Sequence, residues 1–518
     1  MRGRLISLPR PLHVLAGLAT GGLLFLSFPP VNCWPLAWVA CVPLLVLTAR
    51  HPAKSVVPAY LGGALFFIAG IEWVRHGNFY GMLLLGLFLG LYLAAFALAA
   101  GLVLRRVAVP LGLLAPVVWV ALEAVRSNFM TGFPYLLLGH TQIDARRLIQ
   151  VIDVTGVYGV SFIVMAVNGF LADVLMLRAE RRVLATALSG ALAAAGVAGA
   201  MVYGQQRVQD VHVEDGPEVC VVQINTPQSV KNRWTLDAAE LAFSDYARST
   251  YFARKQAQTP SPLVIWPETA LPDCYNDSSS EWISELTIKL ERLMRVNEID
   301  RMLIGMAAQD LKSSGREVFN SAIYILGKPG VYERYDKMHL VPFGEYIPLA
   351  KLLFFLKQVV PYEQPFSMGR DYKIFEHDGR TFAVVICYED IFPGLVRRFV
   401  SRGAEFLVNI SNEGWFYESA EADQHLAIAR CRAIECRRGM VRATNSGISC
   451  LIDPLGRVVK AVEKNGRTKL VDGWLTGRVP LCSGQTVYVR VGDAFALACC
   501  AAFACLAVLA WLARPRPA

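Results

Sequence analysis

Charged residues are scarce in this chain of 518 residues, which is 18% charged and 54% hydrophobic. Soluble domains usually carry about a quarter charged residues, so the composition argues against a wholly water-soluble protein. The net charge of +9 could suggest a nucleic-acid partner. Many of the arginines, however, lie between apolar runs, where basic residues set membrane orientation. We therefore expect no nucleic-acid partner.

Metal-binding and disulfide patterns are also missing. The 12 cysteines have no regular spacing, include no Cys-x-x-Cys pair and form no zinc-ligand spacing with the histidines. We predict no metal site, no disulfide scaffold and no cofactor. The sequence leaves open whether any of seven cysteines in the central block pair with one another: Cys220, Cys274, Cys387, Cys431, Cys436, Cys450 and Cys482.

Long apolar runs, by contrast, fill the first 205 residues and return at the C-terminal end. Each is near the ~20 residues that cross a hydrocarbon core, and the second is the shortest. We predict eight transmembrane helices, at 11–28, 34–49, 56–74, 80–104, 107–125, 157–177, 183–203 and 493–513. The predicted domains are a seven-helix membrane bundle (1–205), a catalytic domain (206–490) and a C-terminal helix with a cytoplasmic tail (491–518).

The distribution of lysine and arginine predicts the orientation of these helices. With a cytoplasmic N terminus, 12 basic residues fall in inside segments and four in the outside segments before the central block. This bias follows the positive-inside rule. Residues 204–490 are therefore expected outside the membrane, with both termini in the cytoplasm.

Two acidic residues and one long loop stand out in the membrane block. Glu72 and Glu123 lie near the ends of predicted spans, where a charge is costly unless it serves a function. We expect both to be solvated at the interface. The loop 126–156 carries the aromatic-rich stretch TGFPYLLLGHTQ (131–142) and could help to line a site.

Residues 216–480 change in character. Short β-branched runs alternate with amphipathic helical stretches, which predicts an α/β layered fold with helices outside the sheets. Polar side chains occur where strands stop: Glu268 ends PLVIWPET, and Cys387 ends the run TFAVVIC. Catalytic side chains are common at such positions, because the sheet holds them rigidly.

A nucleophilic thiol needs a base, positive or amide donors for an oxyanion, and a pocket for the acyl group. The central block offers Glu268 in IWPETALP, Lys337 and Glu345 in ERYDKMHLVPFGEYIP, and Cys387 in CYED. Spacing alone does not show that these residues meet, and a lone cysteine is most often a core residue.

The ordered motifs W-P-E-T, Y-D-K-x-H-L-V-P-F-G-E-Y-x-P and C-Y-E resemble the nitrilase (carbon-nitrogen hydrolase) superfamily, which uses a Glu-Lys-Cys triad on an αββα sandwich. Together with the apolar bundle, its GFPYLLLGHTQ stretch and one C-terminal span, they resemble the apolipoprotein N-acyltransferase family. The resemblance implies an eight-transmembrane-helix bundle carrying a periplasmic nitrilase-like αββα sandwich domain, in the bacterial inner membrane.

The resemblance also implies roles for the central residues. Glu268 would be the general base, Lys337 the stabiliser of the tetrahedral oxyanion, and Cys387 the nucleophile. The backbone amide of Tyr388 would be a second oxyanion donor.

The same resemblance implies that Glu345 and Glu389 would support the lysine and the geometry of the loops. Trp234, on a loop over the site, and Trp415 and Phe416, at the lipid entrance, would contact substrate.

The implied reaction is ping-pong. An acyl chain passes from a phospholipid donor, typically phosphatidylethanolamine, through a thioester to the N-terminal amine of a diacylglyceryl-lipoprotein acceptor, and the enzyme is expected to be a monomer. Two alternatives are a membrane-tethered amidase that uses water and a transporter with an accessory domain. A transporter should show paired buried charges or broken helices along a pathway, and few such charges are evident.

Overall fold

The computed structural model describes residues 9–176, 183–312, 315–347 and 365–513. Two compact units are formed. The first takes the described parts of Met1–Asp210, Ser419–Ala427 and Arg490–Ala518, and the second takes those of Val211–Glu418 and Ile428–Val489. Seven basic residues used in the topology prediction lie outside the described residues: Arg2, Arg4, Arg178, Arg181, Arg182, Arg514 and Arg516.

The described residues contain fifteen α-helices, numbered in chain order. They are α1 (Pro11–Leu26), α2 (Val42–Arg50), α3 (Pro52–Gly70), α4 (Phe79–Leu104), α5 (Leu111–Asn128), α6 (Ile152–Thr155), α7 (Val157–Leu175), α8 (Val183–Asp210), α9 (Gln228–Lys231), α10 (Leu236–Gln256), α11 (Glu281–Val296), α12 (Pro393–Ser401), α13 (Glu421–Cys436), α14 (Val487–Val491) and α15 (Ala494–Leu512).

Six helices of the first unit are long and apolar enough to cross a membrane: α3, α4, α5, α7, α8 and α15. They match six of the eight predicted spans. Shorter apolar helical stretches, Pro11–Leu26 and Trp34–Arg50, stand where the first two spans are predicted. The second is divided into a 3-10 turn and α2, each with a proline in its first turn. Proline has no N–H to continue a preceding helix, which explains the break.

Glycines bring α1 and α3 into close contact, as the small residues of these helices suggest. A Cβ built on Gly17 would lie 2.0 Å from the carbonyl oxygen of Pro58, and one on Gly21 would lie 2.1 Å from that of Gly62. Any larger side chain at these two positions would force the helices apart.

Glu123 is buried, so the prediction that it is solvated is wrong. Only 4% of the residue is exposed. Its Oε1 accepts hydrogen bonds from Trp119 Nε1 at 2.9 Å and from the backbone N–H of Leu138 at 2.7 Å. The loop 126–156 folds back over this helix end and supplies the second donor. Glu72 is partly exposed and pairs with Arg75 at 3.1 Å.

The described residues also contain twelve β-strands. They are β1 (Glu214–Gln223), β2 (Leu263–Trp266), β3 (Arg301–Lys312), β4 (Gly315–Leu326), β5 (Lys328–Asp336), β6 (Phe375–His377), β7 (Arg380–Ile386), β8 (Phe406–Ser411), β9 (Gly439–Thr444), β10 (Cys450–Ile452), β11 (Val458–Ala461) and β12 (Gly473–Leu481).

These strands form two six-stranded sheets in the second unit, ordered β12-β1-β2-β3-β4-β5 and β11-β10-β9-β8-β7-β6. The central pairs β1–β2, β2–β3, β7–β8 and β8–β9 are parallel. The first sheet contacts the second through β1 and β12 against β9 and β10.

Helices cover the sheets on their other faces. Alternate side chains of β1, β2 and β3, such as Val222, Trp266 and Ile304, form a core with residues of α10 and α11. Helix α12 packs against β7 of the second sheet. This arrangement confirms the predicted helix–sheet–sheet–helix sandwich. Because β7 and β8 are parallel, Cys387 and Asn412, which follow them, lie at the same edge of the second sheet. The backbone N–H of Asn412 donates to Glu268, which follows β2 of the first sheet.

Candidate active site

Glu268 follows the end of β2, where the chain turns sharply. The residue is 5% exposed, and Thr269 after it has a left-handed backbone with φ of 48°. Gly305 of β3 lies directly behind: a Cβ there would come within 2.5 Å of the Glu268 Cα and the Pro267 carbonyl oxygen. The carboxylate therefore stands on closely packed backbone that only glycine permits.

Lys337 follows the end of β5 and is 1% exposed. Its Nζ lies 3.4 Å from Glu268 Oε1 and 3.0 Å from Glu345 Oε1. Burial lowers the pKa of Lys337, but the attraction of Glu345 and Glu268 outweighs it, and the pKa stands well above its usual range. The side chain is therefore a permanent buried cation, suited to stabilising a developing negative charge.

Cys387 comes directly after β7 and is half-buried. Its φ of 52° places a non-glycine residue in the left-handed region. Such strain is found at functional sites, where the surrounding structure maintains it. Asn409 Nδ2 donates to the Cys387 carbonyl oxygen at 3.3 Å. Negative charge on this sulfur would add to the effect of Glu345 and Glu268, which raise the pKa of Lys337.

Glu389 joins the segment of Lys337 to the segment of Cys387. Its Oε1 accepts the backbone N–H groups of Met338 at 2.7 Å and His339 at 3.1 Å, while its Oε2 accepts that of Ile386 at 2.7 Å. Tyr335 donates its hydroxyl to the same carboxylate at 2.8 Å. Burial raises the pKa of Glu389 to about 7, against the effect of these hydrogen bonds. The residue is well placed to fix the geometry of both segments.

Glu345 is 6% exposed, and besides Lys337 it accepts the backbone N–H of Val341 at 2.8 Å. Tyr388 is half-buried, with its ring centroid 5.2 Å from that of Phe392. Burial raises the pKa of the Tyr388 phenol, so the hydroxyl stays protonated at neutral pH.

The predicted substrate-contacting aromatics are all partly buried. Trp415 and Phe416 end a 3-10 turn that begins after Asn412. Trp234 packs against the core between the first sheet and its helices. The structure thus brings Glu268, Lys337 and Glu345 into direct contact. Glu389 joins the Lys337 segment to the Cys387 segment, and the roles of all the predicted site residues stay predictions.

Three residues missed by the sequence reasoning contact the site. Asn320 Nδ2 donates to Glu268 Oε1 at 2.7 Å, and the backbone N–H of Asn412 donates to Glu268 Oε2 at 2.8 Å. Lys231 Nζ donates to the Thr269 carbonyl oxygen at 2.7 Å. Burial lowers the pKa of Lys231 to about 7, with Glu268 opposing the shift.

Signals for two of these residues were present in the sequence. Asn320 interrupts the apolar strand VFNSAIYIL, and Asn412 follows the end of the strand FLVNIS, as Glu268 follows its own strand. Lys231 lies in a short polar stretch that gave no signal.

Comparisons with known proteins agree along nearly the whole chain. The family model "Apolipoprotein N-acyltransferase N-terminal domain" matches residues 20–170, and "Carbon-nitrogen hydrolase" matches residues 219–472. The apolipoprotein N-acyltransferase of Geobacter metallireducens is 34% identical over 98% of this chain and 96% of its own length. That of Methylococcus capsulatus is 32% identical over 93% of each chain.

Among solved structures, a mutant amidase of the nitrilase superfamily from Nesterenkonia AN1 matches 55% of this chain and 97% of its own. It is 17% identical, with a TM-score of 0.37.

Proposed function

The chain belongs to the apolipoprotein N-acyltransferase family of the carbon-nitrogen hydrolase superfamily, and from this we propose a ping-pong acyl transfer with a phospholipid donor. Family membership implies N-acylation of lipoproteins. The proposed donor is phosphatidylethanolamine, and the proposed acceptor is the N-terminal amine of an S-diacylglyceryl cysteine. The observation that carries the proposal is the buried Glu268–Lys337 pair, whose lysine segment Glu389 joins to the segment of the strained Cys387.

In the first half-reaction the Cys387 sulfur attacks an ester carbonyl of the phospholipid, and Glu268 accepts the thiol proton. Lys337 and the backbone N–H of Tyr388 stabilise the oxyanion. The carbon–oxygen bond then breaks, Glu268 returns its proton to the departing oxygen, and lysophospholipid leaves. A thioester remains on Cys387.

In the second half-reaction the lipoprotein amine attacks the thioester carbonyl. Glu268 takes a proton from the attacking nitrogen, and the tetrahedral intermediate collapses as the carbon–sulfur bond breaks. The proton passes from Glu268 to the sulfur, which restores the Cys387 thiol. The product amide is more stable than the thioester, so the transfer is driven forward.

The other predicted site residues complete the proposal. Glu345 maintains the charge balance at Lys337, and Glu389 holds the two catalytic segments together. Trp234, Trp415 and Phe416 contact the lipid chains. A mouth lined by such rings would exclude water, which otherwise hydrolyses the thioester.

We place this enzyme in the bacterial inner membrane as a monomer, with eight spans, both termini cytoplasmic and the catalytic domain (206–490) in the periplasm. The lysine and arginine bias and the six apolar helices support this placement. Both proposed substrates reside in the membrane, one as a lipid and the other through its lipid anchor. This explains why the catalytic domain would be joined to a membrane bundle (1–205) and a C-terminal span (491–518).

The direct test incubates the purified protein with phosphatidylethanolamine labelled in its acyl chains and a diacylglyceryl-cysteine peptide. We expect label to appear on the peptide amine, and Cys387→Ala to abolish transfer. Cys482→Ala, a control at another half-buried cysteine, should retain it. Release of labelled free fatty acid without transfer to the peptide would favour a hydrolase.

A further inference from the structure

The side chain and backbone of Asn320 bond to three residues of the site, beyond the backbone pairing that its strand needs. It lies on β4 and is 2% exposed. Its Nδ2 donates to Glu268 Oε1 at 2.7 Å and to Glu345 Oε1 at 2.8 Å. Its carbonyl oxygen accepts the backbone N–H of Lys337 at 2.8 Å. Asn320 thus contacts both carboxylates through its side chain and the backbone of Lys337 through its own backbone.

The orientation of the Asn320 amide follows from its partners. Ionised carboxylate oxygens can only accept hydrogen bonds, so the NH2 end must face Glu268 and Glu345. The Oδ1 atom is buried and has no hydrogen-bond partner among the described residues. An unsatisfied buried acceptor costs free energy. The two charge-assisted bonds of the NH2 group offset that cost, and an apolar side chain could not make them.

The NH2 group also separates two like charges. Glu268 and Glu345 both direct Oε1 at Lys337 Nζ, at 3.4 Å and 3.0 Å. Each Oε1 therefore accepts one bond from the ammonium and one from Asn320. Without the amide, the two carboxylates would repel each other, and one would tend to take up a proton.

The same contacts decide which oxygen of Glu268 can act as the base. Both lone pairs of Oε1 are occupied, by Lys337 and Asn320. Oε2 accepts a single bond among the described residues, from the backbone N–H of Asn412 at 2.8 Å. The remaining lone pair of the carboxylate is therefore on Oε2.

We propose that Asn320 is a positioning residue for the base: its NH2 group fixes Glu268 so that Oε2 accepts the proton of the Cys387 thiol. The inference rests on the triad roles given under the proposed function. The ionisable side chains that face Glu268 among the described residues are Lys337, in direct contact, Glu345, which shares Asn320 with it, and Lys231. Cys387 acts on Lys337.

Two substitutions separate charge from geometry. Asn320→Asp keeps the shape but replaces two donor protons with a third carboxylate, which disfavours the charged form of Glu268. Asn320→Leu removes both bonds without adding charge. Asn276→Asp is the matched control, because among the described residues the Asn276 side chain bonds to the Gln309 backbone, at 2.7 Å and 2.8 Å, and not to the triad.

The experiment measures two rates on full-length protein in detergent. The first is acyl-enzyme formation from phosphatidylethanolamine. The second is alkylation of Cys387 by iodoacetamide as a function of pH, read on the peptide that contains it. Alkylation needs neither lipid substrate, so failure of this inference is distinguishable from failure of the proposed function.

We expect Asn320→Asp to slow acyl-enzyme formation at pH 7 by about 100-fold, the scale of a misplaced catalytic group. Its alkylation profile should move to higher pH. Asn320→Leu should lower kcat and leave KM for the lipid unchanged, and Asn276→Asp should match the wild type. The inference would be overturned if an Asn320 variant with the wild-type melting temperature formed the acyl-enzyme, and was alkylated at each pH, at rates within threefold of those of the wild type. Loss of the folded state in both Asn320 variants would show a structural role and overturn it as well.

Discussion

At the scale of single residues, the site is organised around the buried charge of Lys337. Desolvation of an ammonium is costly, and here two carboxylates, at 3.0 Å and 3.4 Å, compensate for it. The same attraction keeps the lysine protonated, so it cannot serve as the proton acceptor. This supports the proposed roles of Glu268 as the base and of the Cys387 thiol as the group that it would activate.

Lys337→Met tests this arrangement. The substitution leaves Glu268 and Glu345 buried without their cation, so we expect acyl-enzyme formation to fall by ~10²–10³-fold and stability by ~3–5 kcal/mol. Lys289→Met is the control, because Lys289 pairs with Glu285 at 3.0 Å on a partly exposed surface. This substitution should lower the stability of the protein by less than about 1 kcal/mol. Thermal unfolding and intact mass measure the two effects, and a Lys337→Met enzyme with wild-type acylation would contradict the assigned role.

Glu389 predicts a pH dependence of stability. Its folded pKa of about 7 lies above the ordinary 4.5, so between these values the folded state binds a proton that the unfolded state does not. Stability from this group is therefore present below pH 4.5 and is lost as pH rises to 7, on the order of 3 kcal/mol in all. Glu389→Gln cannot titrate at this position. The melting temperature of the wild type, relative to that of the variant, should therefore fall as the pH rises from 4.5 to 7. A difference that rises with pH would exclude the raised pKa.

At the scale of elements, strand ends position the chemistry. Glu268 follows β2, Lys337 follows β5 and Cys387 follows β7, and the chain turns at each point. The close packing of Gly305 behind Glu268 shows how little tolerance these turns have. Rigid backbone at these positions reduces the reorganisation that a reaction otherwise needs.

Gly305→Ala measures that tolerance. The added methyl would overlap the backbone of Pro267 and Glu268, which cannot yield without moving the carboxylate. We expect acylation to drop by ~10–100-fold. Gly394→Ala is the control, because a Cβ at this position, at the start of α12, meets nothing within 4 Å. The folding stability of this variant should rise by a few tenths of a kcal/mol, and its activity should not change. Equal activity in both variants would show that this contact does not position Glu268.

The sequence predicts the central strands well and the edge strands poorly. β2, β7 and β8 are continuous apolar runs, because both of their faces are buried. β5 is a largely exposed edge strand and carries no such pattern, so the sequence does not predict it as a strand. Pairing of β12 with β1 joins residues at least 250 positions apart. No local signal carries that information.

Prediction of the site shows the same limit. Motif resemblance supplied Glu268, Lys337 and Cys387, whereas Asn320 and Lys231 contribute through contacts that only folding creates. Glu123 was misjudged for the same reason: position near a helix end indicated solvent, and the following loop buried it.

At the scale of the whole molecule, membrane topology decides whether the proposed substrates can reach the site. Charge bias predicts that residues 204–490 are periplasmic and that the segment around Arg105 and Arg106 is cytoplasmic. Exposed positions exist on both: Ser278 lies in the second unit and Ala108 in the first.

Cysteine labelling in spheroplasts tests this orientation. A membrane-impermeant maleimide should modify Ser278→Cys in intact spheroplasts and Ala108→Cys only after lysis, as read by peptide mapping. The reverse pattern would place the catalytic domain in the cytoplasm, where the lipoprotein acceptor proposed here would not meet it.

The covalent step is the central claim, and mass spectrometry of the intact protein tests it most directly. After incubation with phosphatidylethanolamine, we predict one added fatty-acyl mass, mapped to the peptide that contains Cys387 and removed by hydroxylamine. Addition of a diacylglyceryl-cysteine peptide should discharge it. An acyl group on any other residue, or transfer to the peptide by a Cys387→Ala protein, would contradict the account.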